Sequence, residues 1–118
     1  MTIDEFDAFW EQMTGQEGQL LDQKGKEYSG TEDRFRNFKR LSAELGISAE
    51  KVTWIYLKKH LDSILSFINH IEEPHYVSSL SEPIMTRCQD ARNYLALLAG
   101  MIHEKENPAG QQKQPNQD

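Results

Sequence analysis

The chain has 118 residues, one cysteine, and a formal net charge of −6 from 19 acidic and 13 basic side chains. That length suits one domain with a modest core, and the acidic balance argues against broad nucleic-acid-backbone binding while leaving room for a local basic pocket. The lone Cys88 offers neither an intrachain disulfide nor a cysteine-based zinc site, and there is no 18-residue apolar run and no basic-then-apolar leader, so no membrane association and a cytoplasmic location are expected.

Thr2 and Glu5 stand at capping-box spacing, and Phe6, Phe9, Trp10 and Met13 recur at helical steps behind them, which predicts a first helix from about Ile3. Gly15 and Gly18 favour a bend or stop before a continuation from Glu17 to about Tyr28. Asp4, Asp7 and Glu11 form an acidic stripe whose ordinary reading is a solvated face. Lys24 to Asp33 is charged and glycine-containing, a turn or an anion-binding corner.

Phe35, Phe38, Leu41, Ala43 and Leu45 predict a short second helix from about Asp33, stopped by Gly46. Asn37 lies inside it and off its apolar face, where an amide needs water or a specific partner. Ser48 is a suitable N-cap for a third helix from about Ala49 to Asn69 or just beyond. Its expected core face is Trp54, Leu57, Leu61, Ile64, Leu65, Ile68 and Ile71, with Tyr56, His60, Ser63 and Phe67 on a flank. A fourth helix is expected over Ser79 to Lys105, capped by Ser79 and Glu82 with Pro83 in its first turn. Ile84, Cys88, Ala91, Leu95, Leu98 and Ile102 recur at steps of four and three and form its expected core stripe; Thr86, Gln89 and Asn93 lie opposite, and Arg87, Asp90 and Tyr94 along one edge. The tyrosine flank of the third helix is expected to pack beside that edge. The fold expected is all-α, an antiparallel bundle of about four helices over residues 1–105, with a flexible tail over 106–118 that holds no large apolar residue.

The common nucleotide-fold and hydrolase signatures are absent. What remains is a helical domain with scattered carboxylates (Glu27, Asp62, Glu82, Asp90) and cationic or amide partners (Lys24, Lys26, Lys59, Arg87, Asn37, Asn93). Oxygen ligands of this kind suit Mg²⁺ completed by a substrate phosphate. For Asp90 the competing explanation is a pair with Arg87 one turn earlier, and for His60 a bond to a carbonyl or carboxylate.

The blocks K-G-K-E-Y-S (Lys24 to Ser29), D-R-F-R-N-F (Asp33 to Phe38), K-H-L-D-S-I (Lys59 to Ile64) and S-E-P-I-x-x-R-x-x-D-A-x-N-Y-L-x-L-L (Ser81 to Leu98) resemble a family of small tailed-phage and prophage proteins grouped near nucleotide modification associated domain 1. The resemblance implies an all-helical protein of phage nucleotide metabolism or DNA modification in the host cytoplasm. A more distant similarity is to MazG-like all-alpha nucleoside triphosphate pyrophosphohydrolases, whose Glu-x-x-Glu and Glu-x-x-Asp hallmarks do not occur here. Three readings follow, the last a structural domain whose polar blocks only lock helices together. In the first, the chain is a Mg²⁺-dependent nucleotide hydrolase in which Glu27, Glu82 and Asp90 hold the metal, His60 and Asp90 act in catalysis, and Lys24, Tyr28, Asn37, Lys59, Arg87 and Asn93 bind a nucleotide or small phosphorylated ligand. In the second, it is a helical phage protein that binds a nucleotide or a host protein without turnover. The apolar second half of the last helix points to a homodimer in each case.

Overall fold

The computed structural model describes residues 1–15, 33–74 and 83–108, and no strand occurs among the described residues. The fold is all-α. A helix runs over 3–15 (α1), followed by α2 (Arg36–Leu45), α3 (Ala49–Ile71) and α4 (Ile84–Glu106). The expected continuation of the first helix to Tyr28, most of the link between the long helices, and the tail from residue 109 lie outside the described residues.

Local chemistry sets the helix ends. At the start of α1 the capping box is reciprocal: Glu5 N–H donates to Thr2 Oγ1 at 3.1 Å, and Thr2 N–H donates to Glu5 Oε2 at 3.0 Å. The second helix begins three residues later than its apolar pattern suggested. Asp33 Oδ1 accepts from Phe35 N–H at 3.0 Å and Asp33 carbonyl from Arg36 N–H at 3.2 Å, so Asp33 builds a turn before the first helical residue. Gly46 closes α2 at φ 70°, a left-handed position that disfavours any side chain with a Cβ. Ser48 caps α3 by accepting from Lys51 N–H at 3.1 Å. Pro83 is the N-cap of α4 in extended geometry, so that helix starts after the proline; the expected cap of Ser79 and Glu82 lies outside the described residues.

The two long helices run antiparallel. Glu50 lies against Lys105, Thr53 against Met101, His60 against Asp90 and Ser63 against Arg87, so residue numbers rise on one helix as they fall on the other. Helix α2 lies over this pair, tied to the far half of α4 by Lys39–Glu104 at 3.1 Å and by the Phe35 ring, whose Cζ lies 3.0 Å from where a Cβ on Gly100 would stand. Helix α1 meets α4 where the Arg92 guanidinium sits 4.2 Å from the Trp10 ring centroid.

The core does not follow the apolar stripes. Buried side chains are Val52, Thr53 and Leu57 on α3 and Gln89, Asp90, Ala91, Asn93, Leu97 and Met101 on α4. On α4 the expected core stripe is thereby corrected: Ala91 is buried, Ile84, Cys88 and Leu98 are half-buried, and Leu95 and Ile102 are 52% and 43% exposed. Gln89 and Asn93, expected to face solvent, are inside. Of the expected core residues on α3, Leu57 is buried and Ile64 half-buried, whereas Trp54, Leu61, Leu65, Ile68 and Ile71 are exposed, and the Tyr56–His60–Ser63–Phe67 flank turns toward α4. The physical reason is pairing. Polar groups on that flank find partners across the helix interface, which removes the cost of burying them and leaves the apolar stripes facing outward.

Candidate ligand-binding site

Two helix faces of similar composition oppose each other in the fold. Near and within α2, Arg34, Asn37, Phe38 and Leu41 are spaced at i, i+3, i+4 and i+7; on α4, Asp90, Asn93, Tyr94 and Leu97 have the same spacing. Each set carries a charge, an amide, an aromatic ring and a leucine on one face. Together with Arg40 and Tyr56 they line a cavity of about 490 Å³. That size lies within the range of small-molecule sites.

The aromatic wall is ordered by the rings themselves. Tyr56 and Tyr94 lie parallel within 8° at a centroid distance of 5.8 Å, and Phe38 stands edge-on to both at 6.1 and 6.5 Å. His60 leans on Tyr94 at 5.1 Å from behind this wall. Its Nδ1 lies 3.0 Å from the Tyr56 carbonyl oxygen, which can only accept, so this nitrogen donates; its Nε2 lies 3.4 Å from Asp90 Oδ2. With Nδ1 donating, Nε2 can also donate only when the ring carries both protons, and in that form the imidazolium pairs with Asp90, which is 8% exposed and lines the cavity from α4. Asn93, one turn further along, is also 8% exposed, and its buried Nδ2 has no hydrogen-bond partner.

Of the residues expected at a site, Asn37, Asp90 and Asn93 come together in this cavity, with His60 touching Asp90. Arg87 does not join them. It donates to Ser63 Oγ and lines a second cavity of about 410 Å³ with Ser63, Ser66, Phe67, Asn69, His70 and Glu73. Lys59 is exposed on α3 and lines neither cavity. Lys24, Glu27, Tyr28 and Glu82 lie outside the described residues. Among the described residues no group of three or more His, Cys, Asp or Glu is placed to hold a metal ion, and Asp90 is the carboxylate that reaches the cavity.

Sequence reasoning passed over Arg34 and Arg40. The signal for Arg34 was its place three and four residues before Asn37 and Phe38, inside the D-R-F-R-N-F block. Two arginines against one aspartate make the lining locally basic on an acidic protein. Cys88, half-buried on α4, stands apart from this chemistry: burial pushes its thiol above the ordinary 9.0, which keeps it protonated and a weak nucleophile.

Among the described residues no helix is long and apolar enough to cross a bilayer. Comparison of the chain with protein-family models, with curated proteins and with solved structures finds no match.

Proposed function

We propose that this chain binds a nucleotide in the cavity between α2, α3 and α4. The observation that carries the reading is the convergence, in one 490 Å³ space, of aromatic rings, two arginines and a buried Asp–Asn pair. Rings offer an apolar surface to a planar base, arginines suit phosphate oxygens, and carboxylate and amide side chains hydrogen-bond polar edges. The phage nucleotide-metabolism setting implied by the sequence blocks agrees with such a ligand. A thermal-shift and calorimetric screen of the full chain against ribo- and deoxynucleotides, with and without Mg²⁺, tests it: a saturable stabilisation is expected, and none with any nucleotide removes the reading.

Hydrolysis is the further step of the same proposal. Asp90, beside His60, would be one oxygen ligand to a Mg²⁺ whose other positions are filled by water and the ligand's phosphates, a common mode for this ion. Glu27 and Glu82 remain its proposed companions. Nucleotide turnover that stops in chelator and in Asp90→Asn supports the enzyme; saturable binding without product leaves a non-enzymatic nucleotide binder.

The proposed partner at the outer face of α4 is a second copy of this chain. Leu95, Leu98 and Ile102 keep the three- and four-residue steps of a coiled-coil seam, with Cys88 seven residues before Leu95, and the fold does not cover them fully. Trp54, Leu61, Leu65 and Ile68 continue an exposed apolar strip on α3. A host protein is the alternative occupant.

A further inference from the structure

We infer that Asn93 reads the uncharged ring of the ligand, so that the site selects nucleobase-bearing ligands over bare polyphosphate. This rests on the nucleotide reading of the cavity. The starting point is the buried, unpartnered Nδ2 of Asn93. Buried amide donors are ordinarily satisfied, because leaving one without an acceptor forfeits its hydration with nothing in return. Asn93 lines the cavity while its Nδ2 is sealed from solvent, so turning the amide about its last side-chain bond, which exchanges nitrogen and oxygen, presents this donor to an entering acceptor.

The surroundings decide which acceptor. One helical turn before Asn93 stands Asp90, equally buried, and a phosphate drawn to the amide would approach that carboxylate. The residue after Asn93 is Tyr94, whose ring forms the aromatic wall with Phe38 and Tyr56. A flat neutral ring fits beside that wall, and a carbonyl oxygen or an unprotonated ring nitrogen on it accepts from the amide; every nucleobase carries one. Arg40, by contrast, is exposed at the rim on α2, where a phosphate stays partly hydrated. Base inward to Asn93 and phosphates outward to Arg40 is therefore the orientation the chemistry favours for binding without Mg²⁺, where no cation bridges Asp90 to a phosphate.

The test titrates the full-length chain with the four deoxynucleoside triphosphates and with inorganic tripolyphosphate. The wild type is expected to bind at least one nucleotide tenfold or more tighter than tripolyphosphate. Asn93→Leu, which keeps the volume and removes the donor without adding a charge, is expected to abolish that preference while changing tripolyphosphate binding less than twofold. In case the substitution prevents folding, the side-chain amide resonance of Asn93 in the ¹⁵N-labelled wild type gives the same answer: it should move with thymidine, which has no phosphate, or with the preferred nucleotide, and stay still with tripolyphosphate. An Asn93 amide unmoved by a nucleotide that binds, or equal affinity for tripolyphosphate, overturns the inference and leaves nucleotide binding standing. A wild type that binds no nucleotide removes both.

Discussion

His60 joins α3 to α4 through both ring nitrogens, with Nδ1 3.0 Å from the Tyr56 carbonyl one turn back on its own helix and Nε2 3.4 Å from Asp90 Oδ2 on the other. Truncating either partner leaves a mostly buried polar group without its neighbour. His60→Ala and Asp90→Ala are each expected to lower unfolding free energy by about 2 kcal/mol, with a coupling of about 1 kcal/mol between them. A double-mutant cycle by urea denaturation measures this, and strictly additive losses would show that the two side chains do not act as a pair.

Arg40 provides a separation of binding from stability. It is exposed on α2 and lines the cavity. Arg40→Glu should leave unfolding free energy within about 0.5 kcal/mol, as surface changes usually do. Nucleotide affinity should fall about tenfold, since reversing a charge beside a phosphate costs on the order of 1.4 kcal/mol. Calorimetric titration of the variant decides, and unchanged affinity would move the phosphates elsewhere.

Helix existence was legible in the chain because capping and periodicity are local: Thr2 with Glu5, Ser48 and Gly46 all act where their chemistry placed them. Which face of each long helix turns inward was not, because it depends on partners far away in sequence. Leu95 and Asn93 lie two residues apart on α4, and hydropathy alone would bury the leucine; the fold buries the asparagine, in company with Asp90 and opposite α2. The expected packing of the Tyr56–His60–Ser63 flank against the Arg87–Asp90 edge did emerge, through Ser63–Arg87 and His60–Asp90. Its consequence for the core did not. The cavity was half legible, since the matching Arg34–Asn37–Phe38–Leu41 and Asp90–Asn93–Tyr94–Leu97 faces are both visible in the sequence, but their opposition is a tertiary fact.

The start of α2 carries a pH dependence of known sign. The Lys39 ammonium, with help from the Phe35 N–H, holds the Asp33 carboxyl below its ordinary 3.8. Asp33, and then Glu104, hold Lys39 above its ordinary 10.5. A depressed carboxyl adds stability that is present above its unfolded value and lost as pH falls through the folded one; a raised amine adds stability that is present below its unfolded value and lost as pH rises through the folded one. Stability from this pair is thus flat through neutral pH and declines at both extremes. Both groups are half exposed, so the loss is on the order of 0.5 kcal/mol. Comparing wild type with Asp33→Asn by urea denaturation at pH 7 and at pH 3 should show a difference that shrinks in acid; a difference that grows there would contradict the assignment.

Gly100 is where α4 lets the Phe35 ring approach. A Cβ at this position would stand 3.0 Å from Phe35 Cζ and 3.6 Å from Cε1. Gly100→Val should cost about 2 kcal/mol, because overpacking outweighs the helix propensity gained on leaving glycine. Phe35→Ala in the same chain should recover much of that loss, since it removes the ring being struck. Thermal denaturation of the two single variants and the double variant measures the recovery, and a Gly100→Val chain as stable as wild type would mean that the ring yields freely.

Leu95 and Ile102 are 52% and 43% exposed on one side of α4, at the seven-residue separation of a coiled-coil seam. In a lone chain, lysine at both positions would merely replace exposed apolar surface by exposed charge, with little effect on fold or helix content. In a pair of chains meeting along this seam, four charges would have to enter an apolar contact, and the cost of desolvating them opposes association. The expected result is that the wild type elutes with twice the mass of one chain by light scattering at micromolar concentration, and that Leu95→Lys/Ile102→Lys elutes as a single chain with unchanged circular dichroism. A wild type that is already monomeric at high concentration would refute self-association and leave the α4 seam to a different protein; a double variant that remains dimeric would put the two-fold contact on another surface of the bundle.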